Sequence, residues 1–169
     1  MVLKHGDWSI VEHASVSVDA VVDRGITHEW VRHRIGAYTQ ESTRFVNYEK
    51  KMPPKFIVPL GLEMNSAAYN AWESTIIECE RAYRNMLAAG CSPQIARSVF
   101  PNALASRLIV TYNLRNWRHF FLMRTSKEAH PQMREVTIPL LAEFQEKIPI
   151  LFDDIRPLAK QSDNLQHMR

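Results

Sequence analysis

The chain has 169 residues, of which 46% are hydrophobic and 23% charged, a composition typical of one ordinary folded domain. We expect a single domain over residues 1–169, with a frayed polar tail from about 160 to 169. The first residues lack the apolar stretch of a signal peptide and no segment resembles a membrane span, so the cytoplasm is the expected location. The net charge of +3 suits an anionic small ligand as well as a nucleic acid.

No metal site is expected. Cys79 and Cys91 are far apart and lack a metal-binding spacing, and two isolated thiols are typical of a reducing compartment. His5 and His13 flank Glu12, but no third ligand follows at a spacing that zinc would need.

The first third of the chain is predicted to form a strand, a helix and a loop. Residues 13–18 alternate polar and apolar side chains, which predicts a strand. Asp19 is then expected to cap a helix that runs through Val31 and tolerates Gly25. Residues 35–44 lack a helical apolar period and are predicted as a loop, and 45–48 and 55–58 as short β-like pieces.

Helices dominate the remainder. Apolar residues at helical spacing predict a helix over 66–89 that ends at Gly90, and Ser92-Pro93 begins another that stops near Pro101. Residues 104–112 favour a strand, 114–124 a helix, and 129–131 open a long helix to about 147 that Pro139 should kink. The order indicates a mixed α+β protein, and with five glycines and no Gly-x-Gly-x-x-Gly a Rossmann phosphate loop is excluded.

A first basic cluster, Arg32-His33-Arg34, is followed after seven residues by Ser42-Thr43-Arg44. Guanidinium groups match phosphate oxygens, so a diphosphate or a nucleotide phosphate could gather these side chains. A solvated basic patch at the C-terminus of a helix, where positive charge is favourable, explains the cluster equally well.

A second basic cluster lies on the predicted helix over 114–124. Arg115 and His119 neighbour one another there, with Arg118 less close, and Arg124 ends the helix. An amphipathic helix with a basic face, which could also contact RNA, is the alternative. Ser42 has no base nearby, so a serine nucleophile is not supported.

Together these motifs resemble the signature of the flavin-dependent thymidylate synthases. The central part of this signature is Arg32-His33-Arg34, followed after seven residues by Ser42-x-Arg44. It is preceded by His5-Gly6 and Glu12-His13. Arg97, Asn113-x-Arg115, Arg124 and residues 129–135 follow in the family's order. The match extends from about His5 to about Arg134, which makes it specific.

The resemblance implies a small twisted sheet flanked by helices, without a Rossmann domain, assembled as a homotetramer whose active sites lie between subunits. It implies FAD as cofactor and the methylation of dUMP to dTMP. In this reaction 5,10-methylenetetrahydrofolate supplies the one-carbon unit, NADPH is the reductant, and hydride is transferred from reduced FAD. Small-molecule substrates are therefore expected, with no nucleic-acid and no membrane partner.

The resemblance also assigns residues. Those expected to contact FAD are Ser9, Arg32, His33, Arg34, Gln40, Asn113, Arg115 and His119, and His130 is expected near the flavin. Those expected to hold dUMP, partly from a neighbouring subunit, are Glu29, Trp30, Val31, Arg32, Gln40, Glu41, Ser42, Thr43, Arg44, Arg97 and Arg124. Arg124 is expected to be catalytic, polarising the uracil ring near N3.

Two other hypotheses stay open. Asp7, Gln40 and His119 replace the family's frequent histidine, glutamate and asparagine, and many members carry a further strand and helix before His5-Gly6. The chain could therefore be a shortened relative that binds nucleotide or flavin without catalysis. A nucleic-acid-binding module is the third hypothesis, and it predicts salt-sensitive binding to long RNA or DNA.

Overall fold

The structure of the protein, a computed structural model, describes residues 6–48, 52–160 and 163. The prediction of a frayed tail therefore falls mostly outside the described residues, as does His5 of the sequence motif. Within the described residues the protein is a mixed α+β structure, which confirms the predicted fold class. None of the helices in these ranges combines the length and apolar character that a membrane span requires.

Strands and helices alternate only in the first part of the described chain. The strands are β1 (Ser15–Asp23), β2 (Ala37–Gln40) and β3 (Ala105–Asn113). The α-helices are α1 (Arg24–Trp30), α2 (Ala67–Ala88), α3 (Pro93–Ala96), α4 (Leu114–Arg124), α5 (Pro131–Lys147) and α6 (Pro149–Phe152), and Trp8–His13 and Arg97–Val99 form short 3₁₀ helices.

The three strands form one small sheet in the order β1-β3-β2. The amide of Leu114 donates to the carbonyl of Ala14 and the amide of Arg24 to that of Leu104, so β1 and β3 run antiparallel. The amide of Glu41 donates to the carbonyl of Arg107 just past the end of β2. Strand β3 is therefore central, and α4 follows it directly.

The described chain divides into two compact units. The first unit contains residues 6–18, 31–38, 110–160 and 163, and the second contains 19–30, 39–48 and 52–109. The single domain expected over 1–169 stays a prediction.

An aromatic core holds the first unit together. Trp117, Phe120 and Phe121 on α4 are fully buried, as is Phe152 on α6. The Trp117 ring lies 5.2 Å from that of Phe144 on α5, measured between centroids. Rings of this size bury large apolar areas, which fixes α4 against α5 and α6.

A smaller aromatic cluster organises the second unit. Tyr83 of α2 is buried and stacks on Phe100 with ring centroids 4.5 Å apart. Tyr48 and Ala96 complete the buried cluster. This packing joins α2 to the segment that carries Arg97.

The long helices agree with their predictions because their end signals are local. Ser66 accepts a hydrogen bond from the amide of Tyr69 at 3.0 Å and caps α2, and Gly90 takes the positive φ that follows its last turn. Helix α5 contains Pro139 and continues past it to Lys147.

The prediction that Asp19 caps a helix is wrong. Strand β1 continues to Asp23, and Arg107 of β3 forms an ion pair with Asp19. The cap of α1 is instead Asp23, whose Oδ1 accepts from the amide of Ile26 at 2.8 Å. Pairing with a strand more than eighty residues away extends β1 beyond what its local pattern indicates.

Two further local predictions are corrected. The predicted loop over 35–44 contains strand β2, because β3 offers its backbone groups to it. Residues 45–48 form a turn and irregular backbone and not a strand. In the segment 55–58 only Phe56 makes a β-bridge, to Leu104.

Candidate active site

A small polar cavity of about 230 Å³ lies in the second unit. We call it the arginine cavity, and its lining residues are Arg24, Gln40, Glu41, Ser42, Thr43, Arg44 and Arg97. Three guanidinium groups and two hydroxyls around one small volume are suited to a phosphate, because such donors match phosphate oxygens. The structure thus brings together six residues that the sequence assigns to dUMP.

Arg97 is held in this cavity by the fold. Pro93 begins α3, and the 3₁₀ turn that follows starts at Arg97. The Nη1 of Arg97 donates to the Oγ1 of Thr43 at 3.0 Å, and its Nε donates to the carbonyl of Gln94 at 3.3 Å. Thr43 is almost completely buried, so this contact anchors a half-buried cation.

Hydrogen bonds also fix the side chains of Gln40, at the end of β2, and of Glu41, which follows it. The amide nitrogen of Gln40 donates to the hydroxyls of Thr27 at 3.0 Å and Ser106 at 3.1 Å, and both hydroxyl residues are buried. Glu41 accepts from the hydroxyl of Tyr48 at 3.3 Å, and burial of Tyr48 raises the pKa of that phenol. The side chains at the cavity wall are therefore pre-organised.

Arg24 is a cavity residue that the sequence analysis missed. It is the first residue of α1, where the helix dipole disfavours a positive charge. Because the sequence pattern placed the helix start at Asp19, it gave no signal for this position of Arg24. Arg44, by contrast, is exposed, with its guanidinium 5.2 Å from the centroid of the Phe45 ring.

A second group of predicted residues meets in the first unit. The Nε of Arg124, at the end of α4, donates to the Nε2 of His33 at 2.7 Å. The His33 ring packs edge-on against Phe120 at 5.0 Å and against His119 at 6.0 Å, measured between centroids. Two histidines and an arginine from distant sequence positions therefore form one cluster.

Burial and the neighbouring cation keep both histidines neutral. Desolvation first, then the charge of Arg124 and the electrostatic interaction with the His119 ring, lower the pKa of His33 from 6.5 to about 4. Desolvation and Arg124 also lower the pKa of His119. At neutral pH the positive charge of this cluster is therefore that of Arg124.

The loop that carries His33 is tied down along its length. Tyr38 donates its hydroxyl to the carbonyl of His33, and its oxygen lies 2.6 Å from that of Tyr112. Asn116 donates to the carbonyl of Ile35. A Cβ atom at position 36 would lie only 2.3 Å from the Tyr112 ring, so this position accommodates only glycine.

The other residues predicted to contact FAD lie in the first unit, except Gln40. Asn113 accepts from the amide of Asn116 at 2.8 Å and caps α4, and Arg115 forms an ion pair with Glu12. Ser9, Arg32 and Arg34 are exposed. His130 caps α5 by accepting from the amide of Gln132 at 3.2 Å.

Two side chains lie deeper than the sequence pattern indicates. The side chain of Trp30 is completely buried in the core. Arg118 does not belong to a basic face on α4, because it is only 2% exposed. It forms an ion pair with Asp154, and its guanidinium carbon lies 5.0 Å from the centroid of the Trp8 ring. The basic surface of α4 therefore lacks Arg118, and the nucleic-acid hypothesis stays open.

A small antiparallel sheet and an arginine-lined cavity, without a glycine-rich phosphate loop, define an α+β protein whose cavity offers side-chain donors suited to an anion. The family model described as thymidylate synthase complementing protein matches residues 1–150. The chain belongs to this family.

Curated relatives agree with the family match. The flavin-dependent thymidylate synthase of Pyrococcus furiosus is 34% identical over 161 residues, which cover 94% of this chain and 64% of that protein. The flavin-dependent thymidylate synthase of Geobacter sulfurreducens is 32% identical, and the match covers 92% of this chain and 67% of that protein. The flavin-dependent thymidylate synthase of Mycobacterium sp. strain JLS is 34% identical, and the match covers 94% of this chain and 70% of that protein. The chain thus spans about two thirds of the length of these relatives.

Proposed function

We propose that the protein catalyses the flavin-dependent methylation of dUMP to dTMP. The observation that carries this proposal is the arginine cavity, because it offers phosphate-binding groups within a chain whose curated relatives are named flavin-dependent thymidylate synthases. 5,10-methylenetetrahydrofolate is the proposed one-carbon donor and NADPH the proposed reductant.

The arginine cavity binds the phosphate of dUMP in this proposal. Arg97 and Arg44 contribute guanidinium groups, Ser42 and Thr43 contribute hydroxyls, and Arg24 adds a third cation. Glu29, Trp30, Val31 and Arg32 belong to the same dUMP set by resemblance. Because the whole residue Trp30 is buried, we propose that it supports the neighbouring members of that set.

FAD is the proposed cofactor, as the resemblance implies. A dinucleotide without a glycine loop needs side-chain cations and amides for its diphosphate and rings. Ser9, Arg32, Arg34, Asn113, Arg115 and His119, with His33 and Gln40, are such donors and acceptors. When reduced, bound FAD supplies the hydride of the reaction.

Arg124 is the proposed catalytic residue. Drawing electron density toward N3 and the carbonyl groups of uracil requires a fixed positive charge in a dry site. Arg124 is half-buried and its Nε donates to the neutral His33, so it offers a held guanidinium in a partly desolvated setting. A protein nucleophile is not needed on dUMP, and Ser42 is assigned to binding.

The proposal is tested with the purified protein. We expect a yellow protein with the absorbance of bound FAD, NADPH oxidation that accelerates with dUMP, and dTMP formed when methylenetetrahydrofolate is added. Arg124→Ala should lower the turnover by about 10²–10³-fold while retaining the fold, because one preorganised donor is lost. Arg81→Ala, which alters an exposed ion pair on α2, is the matched control and should keep wild-type turnover.

The outcomes separate the alternatives. Wild-type turnover in Arg124→Ala would refute the role of that residue. Bound FAD and dUMP without any dTMP would favour a non-catalytic nucleotide- and flavin-binding relative. Restored growth without thymidine, in cells that lack their own thymidylate synthase, would require the active enzyme.

A further inference from the structure

The contact between His33 and Arg124 joins two residues that are ninety-one positions apart. At 2.7 Å between Nε of Arg124 and Nε2 of His33 it is a short, charge-assisted hydrogen bond. A guanidinium has a planar, rigid fork of donors. A hydrogen bond to its Nε–H therefore restricts the directions in which the rest of the group can point.

This bond requires a particular form of the imidazole. Arginine only donates, so the Nε2 of His33 must carry its lone pair and the proton must be on Nδ1. Burial and the adjacent cation, which lower the pKa of His33 to about 4, maintain that neutral form at neutral pH. The charged or titratable groups that face the ring are Arg124 and His119.

His33 itself is held firmly. Its carbonyl accepts the Tyr38 hydroxyl, and its ring packs edge-on against Phe120, a fully buried residue of α4. The Tyr38 hydroxyl in turn contacts that of Tyr112 at 2.6 Å. The acceptor that meets Arg124 is therefore held directly by Tyr38 of β2 and Phe120 of α4, and Tyr112 of β3 in turn contacts Tyr38.

We propose that His33 is a positioning residue whose Nε2 fixes the guanidinium of Arg124 in the orientation that catalysis requires. The proposal rests on the proposed function, in which Arg124 polarises the uracil ring. The resemblance gives His33 only as a contact of FAD. The geometry adds that its Nε2 is used within the chain, which leaves Nδ1–H for a ligand.

A spectroscopic test does not depend on catalysis. Nitrogen-15 NMR of histidine-labelled full-length protein reports the tautomer and the pKa of each imidazole. For His33 we expect the neutral Nδ1–H form at pH 7, and in Arg124→Ala a pKa shifted upward from its value of about 4, because a nearby cation is removed. An Nε2–H tautomer, or an identical pKa in both proteins, would overturn the proposal.

A kinetic test uses the variants His33→Ala, His33→Gln, Arg124→Ala and the double alanine variant. His33→Ala should lower kcat by about 10-fold or more while keeping bound FAD, with a ceiling at the effect of Arg124→Ala. His33→Gln, whose amide oxygen accepts the same Nε–H, should restore kcat to within a few-fold. In the Arg124→Ala background, His33→Ala should change kcat by less than about twofold.

The results distinguish this inference from the proposed function. If the wild-type protein forms no dTMP, the proposed function fails, and the NMR titration still decides whether the contact exists. If dTMP forms but the two alanine effects multiply, or FAD is lost in proportion to activity, His33 does not act through Arg124.

Discussion

At the scale of the residue, burial and partners separate arginines that look alike in the sequence. Arg97 is half-buried and hydrogen-bonded to Thr43 in the arginine cavity, whereas Arg118 is buried in the first unit and pairs with the exposed Asp154. Arg115 pairs with Glu12 near the surface. Sequence motifs identify these residues as basic but not which of them faces a ligand.

Removal of Arg97 should weaken the binding of dUMP more than it affects turnover. We expect Arg97→Ala to raise the KM for dUMP about 10–100-fold, since a charge-assisted bond to a phosphate contributes about 1.5–3 kcal/mol. Steady-state kinetics with varied dUMP measure this effect. Arg84→Ala, which removes an exposed arginine of α2 paired with Glu80, provides the control. An unchanged KM in Arg97→Ala would remove Arg97 from the phosphate site.

At the scale of the element, the structure moves the start of the first helix from Asp19 to Asp23. Strand β1 extends through the intervening residues because β3 pairs with it. Helices α2, α4 and α5 were predictable because their caps and apolar periods are local. Strand β2 was not predictable from the sequence, because its four residues obtain their sheet hydrogen bonds only from a strand far along the chain.

The two aspartates give opposite expectations for stability. Asp23→Ala should lower the free energy of unfolding by about 1 kcal/mol, and up to about 2, because a buried cap of α1 is lost. Asp19→Ala removes an exposed ion pair with Arg107 and should have a smaller effect. Denaturation midpoints in guanidinium chloride measure both. A larger loss in Asp19→Ala than in Asp23→Ala would contradict the contribution assigned to the Asp23 cap.

At the scale of the whole molecule, a homotetramer with active sites between subunits remains a prediction from the resemblance. The arginine cavity, at about 230 Å³, is smaller than the roughly 300–1,000 Å³ of most ligand pockets, so we expect residues from another copy to complete the site. Light scattering at micromolar concentration should give about 78 kDa, four times the chain mass of 19.6 kDa. A mass of one chain would contradict this prediction.

The sequence by itself determined the family, the main helices and the set of basic residues. Those features depend on local spacing, and the long-range order of motifs needs no coordinates. Only the tertiary structure decided that Arg24 joins the cavity, that Arg118 leaves the basic surface, and that His33 meets Arg124. Burial and hydrogen-bond partners depend on segments that are distant in the chain, and local sequence patterns do not encode those distances.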